Sequence, residues 1–220
     1  LHARGNVWMD ATHQWGGTGN GIMLDGSELQ YIRAEGKFGK LALANYQGAY
    51  VPTGYTIDID DELQMEYGVL NIGKNLLVLD EDASIIEANA FGVNNMIETN
   101  ISFTDAGIQK FFPAISSPTN FTYPIGSAGK YTPLELTLNS KSAGGSIRVK
   151  AADERHPTIV DDDEPCQELN DLTNVLHYHW LMDAQGISGF SGEATMQYYP
   201  EDVELTSTDY DLTDYITARL

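Results

Sequence analysis

Only one of the 220 residues is a cysteine, Cys166, so no intrachain disulfide can form and stability rests on the core. Its neighbours Asp161, Asp162, Asp163 and Glu164 are all acidic. A reactive thiolate needs cationic surroundings, and Cys166 therefore reads as a quiet, half-buried thiol. Basic residues are scarce, 12 Lys and Arg against 32 Asp and Glu, for a net charge of −20. Nucleic acid and anionic lipid are bound by clustered Lys and Arg, so neither is an expected partner. No apolar run approaches membrane-spanning length. The longest resemble Asn75-Leu76-Leu77-Val78-Leu79, and no membrane insertion is expected. There is no Gly-x-Ser-x-Gly, no HExxH, no Cys–His arrangement and no cofactor fingerprint. The expectation is a non-catalytic protein without an organic cofactor.

What is present is apolar alternation broken by glycine. Apolar residues make up 42% and glycine supplies 21 positions, enough for a packed core with frequent turns. In Thr56-Ile57-Asp58-Ile59-Asp60 the isoleucines face one way and the aspartates the other, which is the period of a strand. Leu41 and Leu43 alternate in the same way, as do Leu77 and Leu79. No window carries a 3.6-residue apolar stripe, so under about a tenth of the chain should be helical. Glu28-Leu29-Gln30 returns as Glu62-Leu63-Gln64, followed by Leu-Ala-Leu or Leu-Val-Leu. Short strands turned by Gly and Asn at such intervals suit solenoid rungs, which must stack to bury their inner faces. A meandering sheet is the alternative.

Near Phe111-Phe112-Pro113 the character changes, and aromatic residues and proline cluster. Leu134, Leu136 and Leu138 alternate with Glu135 and Thr137, and Ile147 and Val149 with Arg148 and Lys150. Further strands are expected over 175–181 and 193–199, and a brief helical turn over 161–172. The expected fold is all-β, a β-solenoid-like or meander part (1–110) followed by a β-sandwich (111–206), with 207–220 a linker or the start of a further module.

FTYPIGSAGKYTPLELTL, Phe121 to Leu138, resembles a motif of large exported proteins of Bacteroidota. His156-Pro157, the strand ending at Trp180, and Tyr198, Tyr199 and Asp202 fit the same pattern. GVLNIGKNLLVL (68–79) and NMIET (95–99) resemble the solenoid-like part that precedes it. The resemblance spans about residues 60–205. It implies a secreted, cell-surface protein of the type IX route with modular, adhesin-like architecture. No export-signal domain is recognisable at the C-terminus. The residues themselves read as fold-making. Pro124 presets φ, Gly126 permits a positive φ, and Trp180 fills space between two sheets.

Three sets of side chains are candidate sites. Asp58, Asp60 and Asp61 form one acidic knot with Glu62, and Asp161, Asp162 and Asp163 another with Glu164. Calcium takes six to eight oxygens, and clustered carboxylates can supply several, so structural calcium is the candidate metal. His177 and His179, two apart on an expected strand, would share a face, but a third ligand for zinc or copper is not evident. Trp8 and Trp15 stand with His13 and Gln14 just before the Gly-rich run 16–21, and exposed rings over polar neighbours can stack on sugars.

The expected function is a structural or adhesive module of a large secreted or cell-surface protein or filament. The alternative is a carbohydrate-binding or accessory module of a polysaccharide-degrading enzyme. Expected partners are other modules of the same parent chain, copies of this one, or surface glycans. The chain opens on Leu1 without a start Met or export signal and is expected to be joined to more chain at one or both ends.

Overall fold

The computed structural model describes residues 1–99 except 16, 18 and 20, together with 106–156 and 176–203. It is all-β, with a solenoid-like arrangement of about four turns and further sheets. The chain begins with β1 (His2–Ala3) and β2 (Val7–Met9), followed by β3 (Ile22–Leu24) and β4 (Gln30–Ala34). Next come β5 (Lys37–Ala44), β6 (Ala49–Tyr50), the 17-residue β7 (Ile57–Gly73), β8 (Leu76–Leu79), β9 (Ser84–Glu87) and β10 (Asn95–Thr99). The remainder comprises β11 (Gly107–Phe112), β12 (Thr119–Tyr123), β13 (Ile125–Ser127), β14 (Lys130–Tyr131), β15 (Leu134–Ser140), β16 (Gly145–Ala152), β17 (His179–Gln185) and β18 (Ser191–Met196). Among the described residues the only helical element is a three-residue turn, Pro200–Asp202.

Parallel pairing sorts the turns onto three faces. The first face stacks the starts of β5 and β7, then β8 and β11. The second stacks β1, β3, the end of β5, the middle of β7, and β9. The third stacks β2, β4, β6, the end of β7, β10 and β13. Register places like on like. On the second face Ile22, Leu41, Leu63 and Ile85 form one column. On the third, Gln30, Ala49, Leu70, Ile97 and Ile125 form another, all buried. Strand side chains alternate across the sheet, so each turn has an inner row. The outer row meets water on most strands, but on the second face Met23, Ala42 and Ala44 are buried in a small cluster of their own with Tyr67 packed against it. Each fully buried Leu or Ile contributes about 1.5–3 kcal/mol, realised only when the next turn covers it.

Buried amides tie the corners together, because a parallel turn leaves backbone groups that must find partners. Asn75 Nδ2 donates to the carbonyls of Val51 and Ile72, both at 2.8 Å. Asn45 Nδ2 donates to Glu28 C=O at 2.8 Å and to Gln30 Oε1 at 2.9 Å. Asn95 Nδ2 donates to Asn89 C=O at 2.8 Å.

The expected repeat of Glu28-Leu29-Gln30 in Glu62-Leu63-Gln64 is not a structural one. Leu63 lies on the second face opposite Leu41, whereas Gln30 lies on the third opposite Ala49. Leu41-Ala42-Leu43 and Leu77-Val78-Leu79 likewise occupy different faces. Similar tripeptides arise on every face because each inner row needs alternate apolar residues.

Beyond β11 the pairing turns antiparallel. β16 and β17 extend the first face from β11, and β12, β15 and β18 form a separate three-stranded sheet. Tyr123 on β12 donates its hydroxyl to Ile147 C=O on β16 at 2.9 Å, tying the two sheets together. Trp180 Nε1 donates to Thr132 C=O at 2.9 Å, and its ring lies 5.0 Å from that of Tyr178. The boundary expected at residue 110 falls inside β11, and one apolar core runs from Ile22 through Leu138 to Tyr178. The helical turn expected over 161–172, Cys166 and the segment from 207 lie outside the described residues.

Candidate functional site

The first acidic knot lies where β5 and β7 lose register. Phe38 pairs with Ile59 and Lys40 with Glu62, so Gly39 opposes both Asp60 and Asp61. This is a β-bulge, which redirects side chains. Gly39 has no room for a side chain, since a Cβ there would lie 2.5 Å from the backbone nitrogen of Trp15. The bulge gathers carboxylates around one lysine. Lys37 Nζ bonds Asp80 and lies 3.6 Å from Asp58 and 3.7 Å from Asp60. The hydrogen bond to Asp80 raises the Lys37 pKa. Burial raises Asp58. Asp60 is raised first by its hydrogen bond to Asp80 and then by burial. For Asp80 burial works upward, but the hydrogen bonds from Lys37 and Asp60 prevail and hold it low. The open side is an acidic basin lined by Asp60, Asp61, Asp80, Glu81, Asp82 and Phe111.

A lysine ammonium therefore stands among the carboxylates that the sequence offers to calcium. Among the described residues no group of three or more His, Cys, Asp or Glu is arranged to hold a metal ion. Asp161, Asp162 and Asp163 lie outside the described residues. Lys37→Met should lower stability by on the order of 1 kcal/mol, the scale of partly exposed ion pairs. It should also make the melting temperature respond to millimolar calcium more than to magnesium. Melting curves in chelator, calcium and magnesium read both effects, and identical curves for variant and parent would show that Lys37 does not balance the knot.

His177 and His179 do not share a strand face, because β17 begins at His179. His177 Nε2 lies 2.9 Å from an Arg155 nitrogen. His179 Nδ1 bonds Glu154 C=O at 2.8 Å and its ring packs edge-on to His156 at 5.0 Å. Burial lowers the His179 pKa.

Trp8 and Trp15 lie on different faces. Trp15 stands beside the second face, with Lys40 Nζ 5.0 Å from its ring centre and Lys40 itself 2.5 Å from Glu62. Trp8 projects outward from β2 on the third face and is 68% exposed. Register sets it directly against Arg33 of β4. The Arg33 guanidinium lies 5.2 Å from the Trp8 ring centre and 5.8 Å from that of Tyr55. Two residues along β4, Tyr31 faces Tyr50 of β6, edge to face at 5.9 Å. The same outer column continues through Asn71 and Glu98, joined by a 2.7 Å hydrogen bond. Trp8 was visible in the sequence. Arg33, Tyr31 and Tyr50 were not, because only the register of three parallel turns brings them together, and Tyr55 joins them from the segment between β6 and β7.

No protein-family model matches the chain, and no curated protein and no solved structure matches it. Among the described residues no helix is long and apolar enough to cross a membrane.

Proposed function

We propose that this protein is a non-catalytic structural or adhesive module of a large secreted, cell-surface protein or filament, and that its third face meets surface glycans. The observation that carries this reading is the outward pair of Trp8 and Arg33 beside Tyr31 and Tyr50, with the half-buried Tyr55 ring 5.8 Å from the same guanidinium. A sugar ring presents C–H groups to an aromatic face and hydroxyls at its edge. Exposed rings supply the first contact and a guanidinium fork the second. Backbone pairing sets the spacing of Trp8, Arg33, Tyr31 and Tyr50, so less ordering entropy is lost when a ligand arrives. The charge of −20 selects neutral glycans over polyanionic ones.

Export to the cell surface and attachment to other modules of the same parent chain, or to copies of this one, accord with the Bacteroidota resemblance. The aromatic row serves equally a carbohydrate-binding module attached to a polysaccharide-degrading enzyme, and the neighbouring domain of the parent chain separates the two.

Trp8→Ala should weaken binding to neutral polysaccharide at least about tenfold, the loss of one stacking contact of about 1.5 kcal/mol. Stability should change by less than about 0.5 kcal/mol, because the ring is exposed. A glycan array followed by calorimetry on the best ligand reads both. Absence of any saturable neutral ligand would remove the glycan contact and leave a purely structural module.

A further inference from the structure

The second face stops one turn before its neighbours. β9 pairs with β7 on one side. The first and third faces both continue, through β11 and β13. The strand between those two is β12, which pairs with β15 and not with β9. Among the described residues, β9 and β12 therefore each have a strand edge without a partner. Ala88 donates its N–H to Met65 C=O. Backbone direction alternates along a strand, so Ile85 and Glu87 turn theirs to the open side.

A cleft of about 490 Å³ runs between these edges. Ser84, Ile85 and Glu87 line it from β9, and residues Thr119 to Thr122 from β12. Its floor carries Phe91, Phe112 and Phe121, with the Lys110 ammonium, held by backbone carbonyls, 5.9 Å from the last two ring centres. It adjoins the acidic basin, since Glu81 lines both. Within that basin Asp61, Glu81 and Asp82 have no ion pair among the described residues.

The geometry points to a docking slot for one extended peptide strand of a partner polypeptide, apolar on the side facing the floor and basic at the end that reaches the acidic basin. Strand edges pair with extended backbone, and pockets beneath them select alternate side chains. The rings of the floor select alternating Val or Ile. The basin selects Lys or Arg and repels acidic segments, this chain's own included. This slot is separate from the aromatic row on the third face and does not depend on it.

The test uses the full chain and a fluorescent eight-residue peptide of alternating Val and Thr ending in three lysines. One control replaces the lysines by glutamates, and another keeps the lysines but places two prolines in the centre. The lysine peptide should bind at least about tenfold more tightly than either control, since proline removes ladder donors while leaving the charge. Thr122→Trp, an exposed position lining the cleft, should fill the slot and weaken binding at least tenfold without a change in the melting curve. The pair Glu81→Lys and Asp82→Lys should abolish the preference for lysine over glutamate. Equal binding of the proline peptide, or unchanged binding to Thr122→Trp, would overturn the proposal by reducing it to general attraction between charges. Self-association of the free protein that Thr122→Trp abolishes would also overturn it, by making a second copy the occupant.

Discussion

Gly68→Ala should lower stability by about 3 kcal/mol or more, among the largest losses any single methyl group could cause here. Gly68 sits at the corner between the second and third faces with φ of +102°, a region that costs a residue with a side chain about 1–3 kcal/mol. A Cβ there would also lie 1.9 Å from the carbonyl oxygen of Asn45. That carbonyl cannot retreat, because it accepts the Gly48 N–H at 2.8 Å while Asn45 N–H donates to Tyr67 at 3.2 Å. Gly54 separates the two causes. Its φ is +96°, but nothing lies within 4 Å of where its Cβ would be. Gly54→Ala should cost only about 1 kcal/mol, the conformational part alone. Urea unfolding of both variants reads the difference, and equal losses would show that the corner yields to the methyl group.

Lys110→Met should cost about 3 kcal/mol by another route. The Lys110 ammonium is buried and donates to the carbonyls of Asp80, Glu81 and Ala83 at 2.6, 2.8 and 2.7 Å. Methionine fills similar space but leaves three carbonyls without their donor, at about 1 kcal/mol or more each. These carbonyls belong to the loop between the acidic basin and the cleft, so peptide binding should weaken as well. The pH dependence carries a second signature. Burial pushes Lys110 from 10.5 down to about 8, against the pull of Asp82, Asp80 and Glu81. An unfolded lysine keeps its proton to about pH 10.4. At this site the unfolded chain thus binds more protons than the folded one from about pH 8 upward, a contribution that makes stability rise with pH. Burial raises Tyr123, Tyr131 and Tyr178, so towards pH 10 their unfolded phenols ionise first and oppose the rise, which leaves about pH 8 to 9 as the window that reads Lys110. Lys110→Met should flatten the rise, and denaturant midpoints from pH 7.5 to 9 measure it. An equally steep rise in the variant would assign the effect to another group.

How far these features were legible in the sequence depends on whether they are local. The alternation of Ile57 with Ile59, and of Leu134 with Leu136 and Leu138, marked β7 and β15, because a strand's inner row is written in consecutive residues. The stacked turns were readable as a class, since Gly and Asn recur where corners must form. Their register was not. Leu41 over Leu63 and Gln30 over Ala49 are choices among many apolar pairs that local pattern cannot rank, which is how the tripeptide repeat misled. The candidate sites divide in the same way. Asp58, Asp60 and Asp61 are neighbours in the chain, but Lys37 and Asp80 reach them only through two adjacent turns. Trp8 stood out by type, whereas its companion Arg33 is 25 residues away and is set by pairing alone.

The seventeen residues of β7 belong to all three faces at once, with β5 and β6 on one side and β8, β9 and β10 on the other. Its partners lie close along the chain. Leu41 meets Leu63 after 22 residues, and Leu63 meets Ile85 after another 22. Loop-closure entropy grows only slowly with length, so successive turns face closures of nearly equal difficulty. Assembly can start at β7 and zip outward in both directions, without waiting for distant chain to return. The antiparallel pairing of β15 with β18, from Leu134 to Met196, spans 62 residues and belongs at the end of that order. A chain delivered gradually, residue by residue, can bury each turn as soon as the next one has emerged to cover it.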